Sequence, residues 1–376
     1  MSGPRPIRRG SGSRRDFPGI PGLADLAAAL VAVVLVVAGC SAPAAATPVS
    51  IPPDASGSVA PAASASGPAG SPSASPAAAA TFPLTLSDDE GGSVALKGAP
   101  TRIVSLTPAT TETLFALGAG PRVVATTDRD DYPPEVTKLP HVATYQGVDV
   151  EKIVALAPDL VVAGGNGFNS PNAIAQLRRA GIPVLVVYAR DVDGVLHDIE
   201  LVGDAVGAGP AARDLTASMR AGFDQVAAAT KGLTQPRTFY ELDATKEIYG
   251  PAKDSFVAQM IELAGGTPIT TGDPNVFSIP LETLVAADPE VIVLGDGAYG
   301  TTADIVKARP GWEKMSAVTT GAIRPADDTL ISRPGPRLVE GLRDLAVAIH
   351  PELAAVLPAP TSPVVASAAP SGSATP

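Results

Sequence analysis

Beyond residue 40 the chain has no cysteine at all, and Cys40 is the only one among its 376 residues. No disulfide can brace such a fold, so it must rest on packing alone. Histidine is nearly as scarce. His141, His197 and His350 are the full set, and no pair of them has metal-ligand spacing. Basic residues are also in short supply, with 27 Lys and Arg against 38 Asp and Glu for a net charge of −11. A chain of that sign is not built to hold nucleic acid. Neither a nucleophile elbow nor a metalloprotease helix occurs, and the longest apolar run, Leu26 to Ala38, is too short to span a bilayer.

That run has a different use. Arg5, Arg8, Arg9, Arg14 and Arg15 precede it and "VAGC", Val37 to Cys40, closes it, which is the layout of an export signal. "VAGC" resembles a lipobox, so Cys40 is expected to become the diacylated N-terminus of a protein anchored to the outer face of the cytoplasmic membrane. "SRRDF", Ser13 to Phe17, resembles a twin-arginine motif and leaves the export route open. Removing the first 39 residues takes away five Arg and two Asp, leaving 22 basic against 36 acidic side chains. Residues 41–80 and 358–376 are almost wholly Ala, Pro, Ser, Gly, Thr and Val. They carry too little large apolar surface to pack and read as a tether and a tail.

Within the remainder, "VEKIVALAPDLVV" (Val150 to Val162) returns as "LETLVAADPEVIV" (Leu281 to Val293), offset by 131 residues without a gap. Each copy reads as a short helix, a Pro-acid turn and a buried strand. Two copies are too few for a solenoid and imply two similar α/β lobes. A β-hairpin is expected around "SDDEGG". In the first lobe, residues 81–190, strands are expected at 102–106, 122–126, 159–164 and 183–188, with helices at 108–117, 150–156 and 171–180. The second lobe, residues 233–357, should have strands at 237–242, 290–295 and 322–326, with helices at 255–263, 281–287, 303–308 and 336–349. Val-rich strands alternating with short helices imply parallel sheets covered on both faces. Between the lobes, residues 191–232 form a helical segment. Its main element is one long helix from Pro210 to Thr230, with Leu215, Met219, Phe223 and Val226 along its apolar side. The fold class is thus α/β: two Rossmann-like lobes joined by one long rigid helix.

Five stretches together resemble the substrate-binding proteins of ABC importers for cobalamin, ferric siderophores and haem. They are "RIVSLTPATTETLFALGAG" (Arg102 to Gly120), "DYPPEV" (Asp131 to Val136), "YQGVDVEKIVALAPDLVV" (Tyr145 to Val162), "SFVAQMIELAGG" (Ser255 to Gly266) and "RPGPRLVEGLRDLAVAIHPEL" (Arg333 to Leu353). The likeness is greatest to the cobalamin-binding members. It implies that Glu151 and Glu282, one per repeat copy, dock onto arginines of paired membrane subunits; the plain alternative is that each favours its helix dipole. It also implies a ligand site between the lobes, where strand-end loops gather.

In that site the resemblance puts Tyr145, with Gln146 beside it, in a loop whose aromatic residue stacks on the corrin ring, although this chain has Tyr where the cobalamin binders have Trp. Arg129 comes next, with the acids beside it in "DRDDYPP" expected in solvent, while Tyr132 is expected to pack beneath its Pro-Pro turn. Thr107 is an N-cap first and a ligand contact second. Asn166 and Phe168 lie in a Gly-rich loop where binding and local packing both fit. From the second lobe Tyr249, Phe277 and Arg333 fall where the family places contacts. Arg333 could pair with a phosphate, a siderophore carboxylate or a haem propionate. Arg337 is read as serving the helix it begins, and His350 as sitting at a helix end. "AGGNGFNS" imitates a dinucleotide fingerprint, but Ser170 replaces the third Gly and the loop follows the third strand, so an NAD-dependent enzyme is set aside. The expected protein is a monomer without catalysis or resident cofactor, whose cargo is a chelate: cobalamin first, ferric siderophore next, haem third.

Overall fold

Alternation in Leu84–Ser87 (β1) and Ser93–Leu96 (β2) folds as an antiparallel hairpin, with Leu84 opposite Leu96 and Leu86 opposite Val94. It forms a two-stranded sheet of its own. The computed structural model describes residues Thr81 to Leu357, all within one compact unit. Cys40, the export signal, the tether and the tail lie outside the described residues.

The first lobe continues with β3 (Ile103–Ser105), α1 (Pro108–Ala116), β4 (Val123–Thr127), β5 (His141–Thr144), β6 (Gly147–Val148), α2 (Val150–Ala155), β7 (Leu160–Gly164), α3 (Pro171–Arg179) and β8 (Val184–Val187). Its six strands run in the order β6-β5-β4-β3-β7-β8. Pairing is parallel except between β5 and β6, which are antiparallel. That edge hairpin was not expected: its strands are four and two residues long, too short for alternation to show. Helices α4 (Val192–Ala205) and α5 (Gly209–Thr230) follow. The second lobe holds β9 (Arg237–Glu241), α6 (Phe256–Leu263), β10 (Thr267–Pro268), α7 (Leu281–Ala287), β11 (Val291–Leu294), α8 (Ala303–Lys307), α9 (Ser316–Thr320), β12 (Ile323–Pro325), α10 (Asp328–Ile331) and α11 (Leu338–Ile349). Its strand order is β10-β9-β11-β12, all parallel.

The sequence repeat is a repeat of structure down to its hydrogen bonds. Helix α2 ends before Ala157 at φ 44°, and α7 ends at Asp288 with φ 45°, each followed by Pro and an acid. Those acids, Asp159 and Glu290, accept the backbone N–H of Arg102 at 2.8 Å and of Arg237 at 2.9 Å. The same two arginines donate Nε to the closing carbonyls of Leu156 at 3.0 Å and Ala287 at 3.1 Å. Helix C-termini leave such carbonyls without intrahelical partners, and both lobes solve the problem with one device.

The lobes are welded along α5. Buried side chains form a continuous core from Ile103 and Leu185 through Leu196 and Ile199 of α4 and Met219 and Val226 of α5 to Leu342 and Leu345 of α11 and Tyr240. The outer face of each sheet has a separate core. Two glycines allow the close approach. A Cβ on Gly203 of α4 would come 2.4 Å from the Ala212 Cβ of α5, and one on Gly222 of α5 would come 2.4 Å from Cγ1 of Val339 of α11. At 22 residues, α5 is about 33 Å long. A rigid element packed into a core common to both lobes resists wide hinge motion.

Candidate functional site

In parallel sheets the loops at the carboxyl ends of the strands form the binding crevice. The loops after β3, β4, β7 and β8 contribute Thr107, Arg129, Phe168 and Tyr188 to one cavity of about 500 Å³. Helix α4 adds Asp198 and Ile199, and the second lobe adds Phe256, Tyr299 and Arg333. The cavity therefore draws on both lobes. Four aromatic side chains and two guanidinium groups line it, a set suited to a large, partly flat ligand with a polar edge.

Among the residues expected from the sequence, Thr107, Arg129, Phe168 and Arg333 line this cavity. Thr107 also caps α1, its hydroxyl accepting from the Thr110 N–H at 3.1 Å. Phe168 is 68% exposed. Tyr145 and Gln146 are the two turn residues between β5 and β6, where Thr144 pairs with Gly147. Gln146 Nε2 donates to the Tyr145 hydroxyl at 3.1 Å, and the Tyr145 ring is 80% exposed. Asn166 is occupied: its N–H donates to Glu90 Oε1 at 3.1 Å and its Nδ2 to the Tyr188 hydroxyl at 2.8 Å. Tyr249 bridges Asp243 and Ser278, and its hydroxyl donates to Glu247 Oε2 at 3.1 Å. Phe277, whose carbonyl accepts the Gly250 N–H at 2.9 Å, is half-exposed. The cavity lining does not include Tyr145, Gln146, Asn166, Tyr249 or Phe277.

The two cavity arginines differ in charge state of their surroundings. The Arg129 guanidinium has no carboxylate partner among the described residues. Arg333 has two. Its Nη1 donates to Asp131 Oδ1 at 2.6 Å and Glu112 Oε1 at 3.2 Å, while Nη2 donates to Asp131 Oδ2 at 3.2 Å. Arg337 joins them, donating Nε to Glu112 Oε2 at 2.8 Å and Nη2 to Glu112 Oε1 at 2.5 Å, with its guanidinium carbon 4.2 Å from the Tyr132 ring centroid. The reading of Arg337 as serving its own helix is thus corrected. It supplies no side-chain cap to α11 because its fork is spent on Glu112, across the lobe boundary. Tyr132 accordingly packs under Arg337, next to a cis bond to Pro133.

Below the cavity the hairpin turn delivers three acids. Asp88 pairs with Arg178 at 2.6 Å, Asp89 Oδ2 accepts the Tyr188 N–H at 2.5 Å, and Glu90 accepts from Asn166. Asp198, buried on α4, faces Asp89. Burial first and the Asp89 hydrogen bond second push its carboxyl up to about 9. Asp198 is therefore a neutral hydrogen-bonding group at pH 7. Of the acids expected in solvent beside Arg129, Asp130 is instead buried against Thr127, and that burial raises its carboxyl, whereas the Arg333 guanidinium holds Asp131 below the usual carboxylate range.

Sequence reasoning missed Glu112, Tyr188, Asp198, Phe256 and Tyr299. For Tyr299 a signal existed: in "GDGAYG" it is an aromatic residue in a Gly-rich loop after a strand, as Phe168 is, and it is 84% exposed. Tyr188 closes an apolar strand run, the end where parallel sheets place their sites. Glu112 carried none, since its partners are 221 and 225 residues away.

Away from the cavity, Glu151 and Glu282 sit in the first turns of α2 and α7, both exposed. Asp149 already caps α2 by accepting the Lys152 N–H at 3.0 Å, so the first free amides there do not depend on Glu151. Pro280 makes no side-chain cap for α7. No helix among the described residues is long and apolar enough to cross a membrane.

Comparison with known proteins agrees with this architecture. The uncharacterized ABC transporter substrate-binding lipoprotein YvrC of Bacillus subtilis is 35% identical over 72% of this chain and 87% of its own length. A cobalamin-binding protein of Halobacterium salinarum is 31% identical over 72% of this chain and 75% of its own. Among solved structures, the periplasmic heme-binding protein RhuT from Roseiflexus sp. RS-1 superposes with a TM-score of 0.60 at 28% identity, covering 66% of this chain and 98% of that one. All three are named as binding proteins. A family model described as periplasmic binding protein matches residues 103–330, from β3 into α10, and the chain belongs to that family.

Proposed function

We propose that the chain is an extracytoplasmic lipoprotein that captures cobalamin between its lobes and delivers it to an ABC importer, docking through Glu151 and Glu282 and held to the membrane through lipidated Cys40. One observation carries the ligand class: a cavity of about 500 Å³ bounded by both lobes, with Phe168, Tyr188, Phe256 and Tyr299 for a ring system and Arg129 for an anionic edge. The Halobacterium relative supports cobalamin within that class. Exposed glutamates at equivalent positions of the two repeat copies support a two-point docking surface, since a helix dipole alone accepts an acid at any of several first-turn positions. The chelate is cargo, and no step of chemistry is asked of the protein.

A ferric siderophore or haem is the second reading, favoured by the free Arg129 and by the heme-binding neighbour. Absorption titration of the full chain with cyanocobalamin, hydroxamate and catecholate ferric chelates, and haemin separates them. Tight cyanocobalamin binding is the expected result. A siderophore or haemin that binds while cyanocobalamin does not reverses the order.

A further inference from the structure

Arg333 faces the cavity, yet its guanidinium is engaged by two carboxylates of the opposite lobe. The two are not equivalent. Glu112 is buried, with a side chain 3% exposed, and Arg337 grips it through two hydrogen bonds. Removing it would strand charge in a low-dielectric site. The Asp131 side chain is 60% exposed, and among the described residues Arg333 is the one side chain that holds it. Released, it would be solvated at little cost, as exposed ion pairs generally are.

The backbone around Asp131 is fixed independently of that contact. Its neighbour Asp130 is buried and accepts the Thr127 N–H at 3.0 Å together with the Thr127 hydroxyl, while Tyr132 on the other side packs under Arg337. Only a side-chain rotation is needed to uncover the edge of Arg333 that Asp131 occupies, with Glu112 still on Nη1. Charge balance points the same way. Glu112 and Asp131 already offset Arg333 and Arg337, so an anion arriving on Arg333 itself would add a negative charge that this four-residue cluster does not answer unless one carboxylate left. A bidentate carboxylate on a guanidinium is also a close geometric stand-in for a phosphate or carboxylate of a ligand.

We propose that Asp131 is a specificity-determining residue that occupies on Arg333 the place of an anionic group of the bound chelate, and swings out when that group arrives. Resting on the chelate-binding reading, this sets the preference of the cleft. Ligands without an anion leave the Asp131–Arg333 pair closed and lose nothing, while anionic ligands must compete with it. Asp131 thus moderates anion binding and leaves Arg129 as the unopposed cation.

The test compares the full chain with its Asp131→Asn variant in two ways. Titration with cyanocobalamin and with cobinamide, the same corrin lacking the phosphodiester, gives an affinity ratio; haemin and the neutral ferric hydroxamate ferrichrome give a second. In Asp131→Asn the ratio of anion-bearing to anion-free ligand should rise about three- to tenfold. An unchanged or lower ratio overturns the proposal. The second readout uses no chelate: modification of Arg333 by phenylglyoxal, followed by peptide mass spectrometry, with pyrophosphate as competitor. Arg333 should label several-fold faster in Asp131→Asn, and pyrophosphate should protect it at several-fold lower concentration than in the wild type. Equal labelling and equal protection in the two proteins overturn the exchange. If no chelate binds either protein, the ligand reading falls on its own and the pyrophosphate arm still decides the role of Asp131.

Discussion

Glu112 and Arg337, 225 residues apart in the chain, close a bidentate ion pair across the boundary between the lobes. Both side chains are largely shielded, 3% and 13% exposed, and Glu112 also holds Arg333, so removing Glu112 takes a carboxylate from two shielded guanidinium groups at once. Glu112→Gln should lower unfolding stability by about 3 kcal/mol, measured by urea titration. Arg337→Lys should lose less, keeping the charge but not the fork or the stacking on Tyr132. A Glu112→Gln protein as stable as wild type would show that the pair bears no load.

Asp198 makes stability depend on pH in an unusual direction. Its carboxyl titrates at about 9 in the folded protein against ~3.9 in an unfolded chain. Between those values the folded state binds more protons, so the contribution is complete only below the unfolded value and is lost progressively as pH rises from there to the folded value. The slope from this group reaches at most about 1.4 kcal/mol per pH unit. Thermal or urea unfolding from pH 5.5 to 8.5 should show it, and Asp198→Asn should flatten it. A variant with the wild-type slope would assign the effect elsewhere.

Gly222 marks where α5 meets α11. Alanine there would place its Cβ 2.4 Å from a γ-methyl of Val339, a stiff β-branched side chain that cannot easily turn aside. Despite the better helix propensity of Ala, Gly222→Ala should destabilise by about 1–3 kcal/mol. The double variant with Val339→Ala should recover much of the loss, a coupling that a double-mutant cycle measures directly.

Charge reversal at Glu151 and Glu282 tests the proposed docking separately from binding. Glu151→Lys and Glu282→Lys should each cut ligand uptake by cells severalfold or more, while chelate affinity of the purified protein stays within twofold of wild type. Loss of affinity in either variant would place that glutamate in the ligand site and end the docking assignment.

What the sequence disclosed and what it withheld follow from the range of the interactions. The repeat around Pro158 and Pro289, the Val-rich strands and α5 are local patterns, and each lies within a residue or two of its expected bounds. Tyr188 and Asp198 were hidden because a strand end and an amphipathic helix look alike whether or not a cavity lies beside them. The Glu112, Asp131, Arg333 and Arg337 cluster was half visible: its arginines stand out in "RPGPR", but nothing local shows that their charges are already answered from the first lobe. Contacts made across two hundred residues leave no periodicity to read.

Seating α5 in one core with α4 and α11 has a consequence for traffic at the membrane. If the chain delivers cargo as proposed, its loaded and empty forms should share nearly the same outline, and an importer could not sort them by shape. Empty copies should then queue at the gate and compete with full ones, and the choice between them has to be made at the mouth of the cleft, where cargo is present or is not.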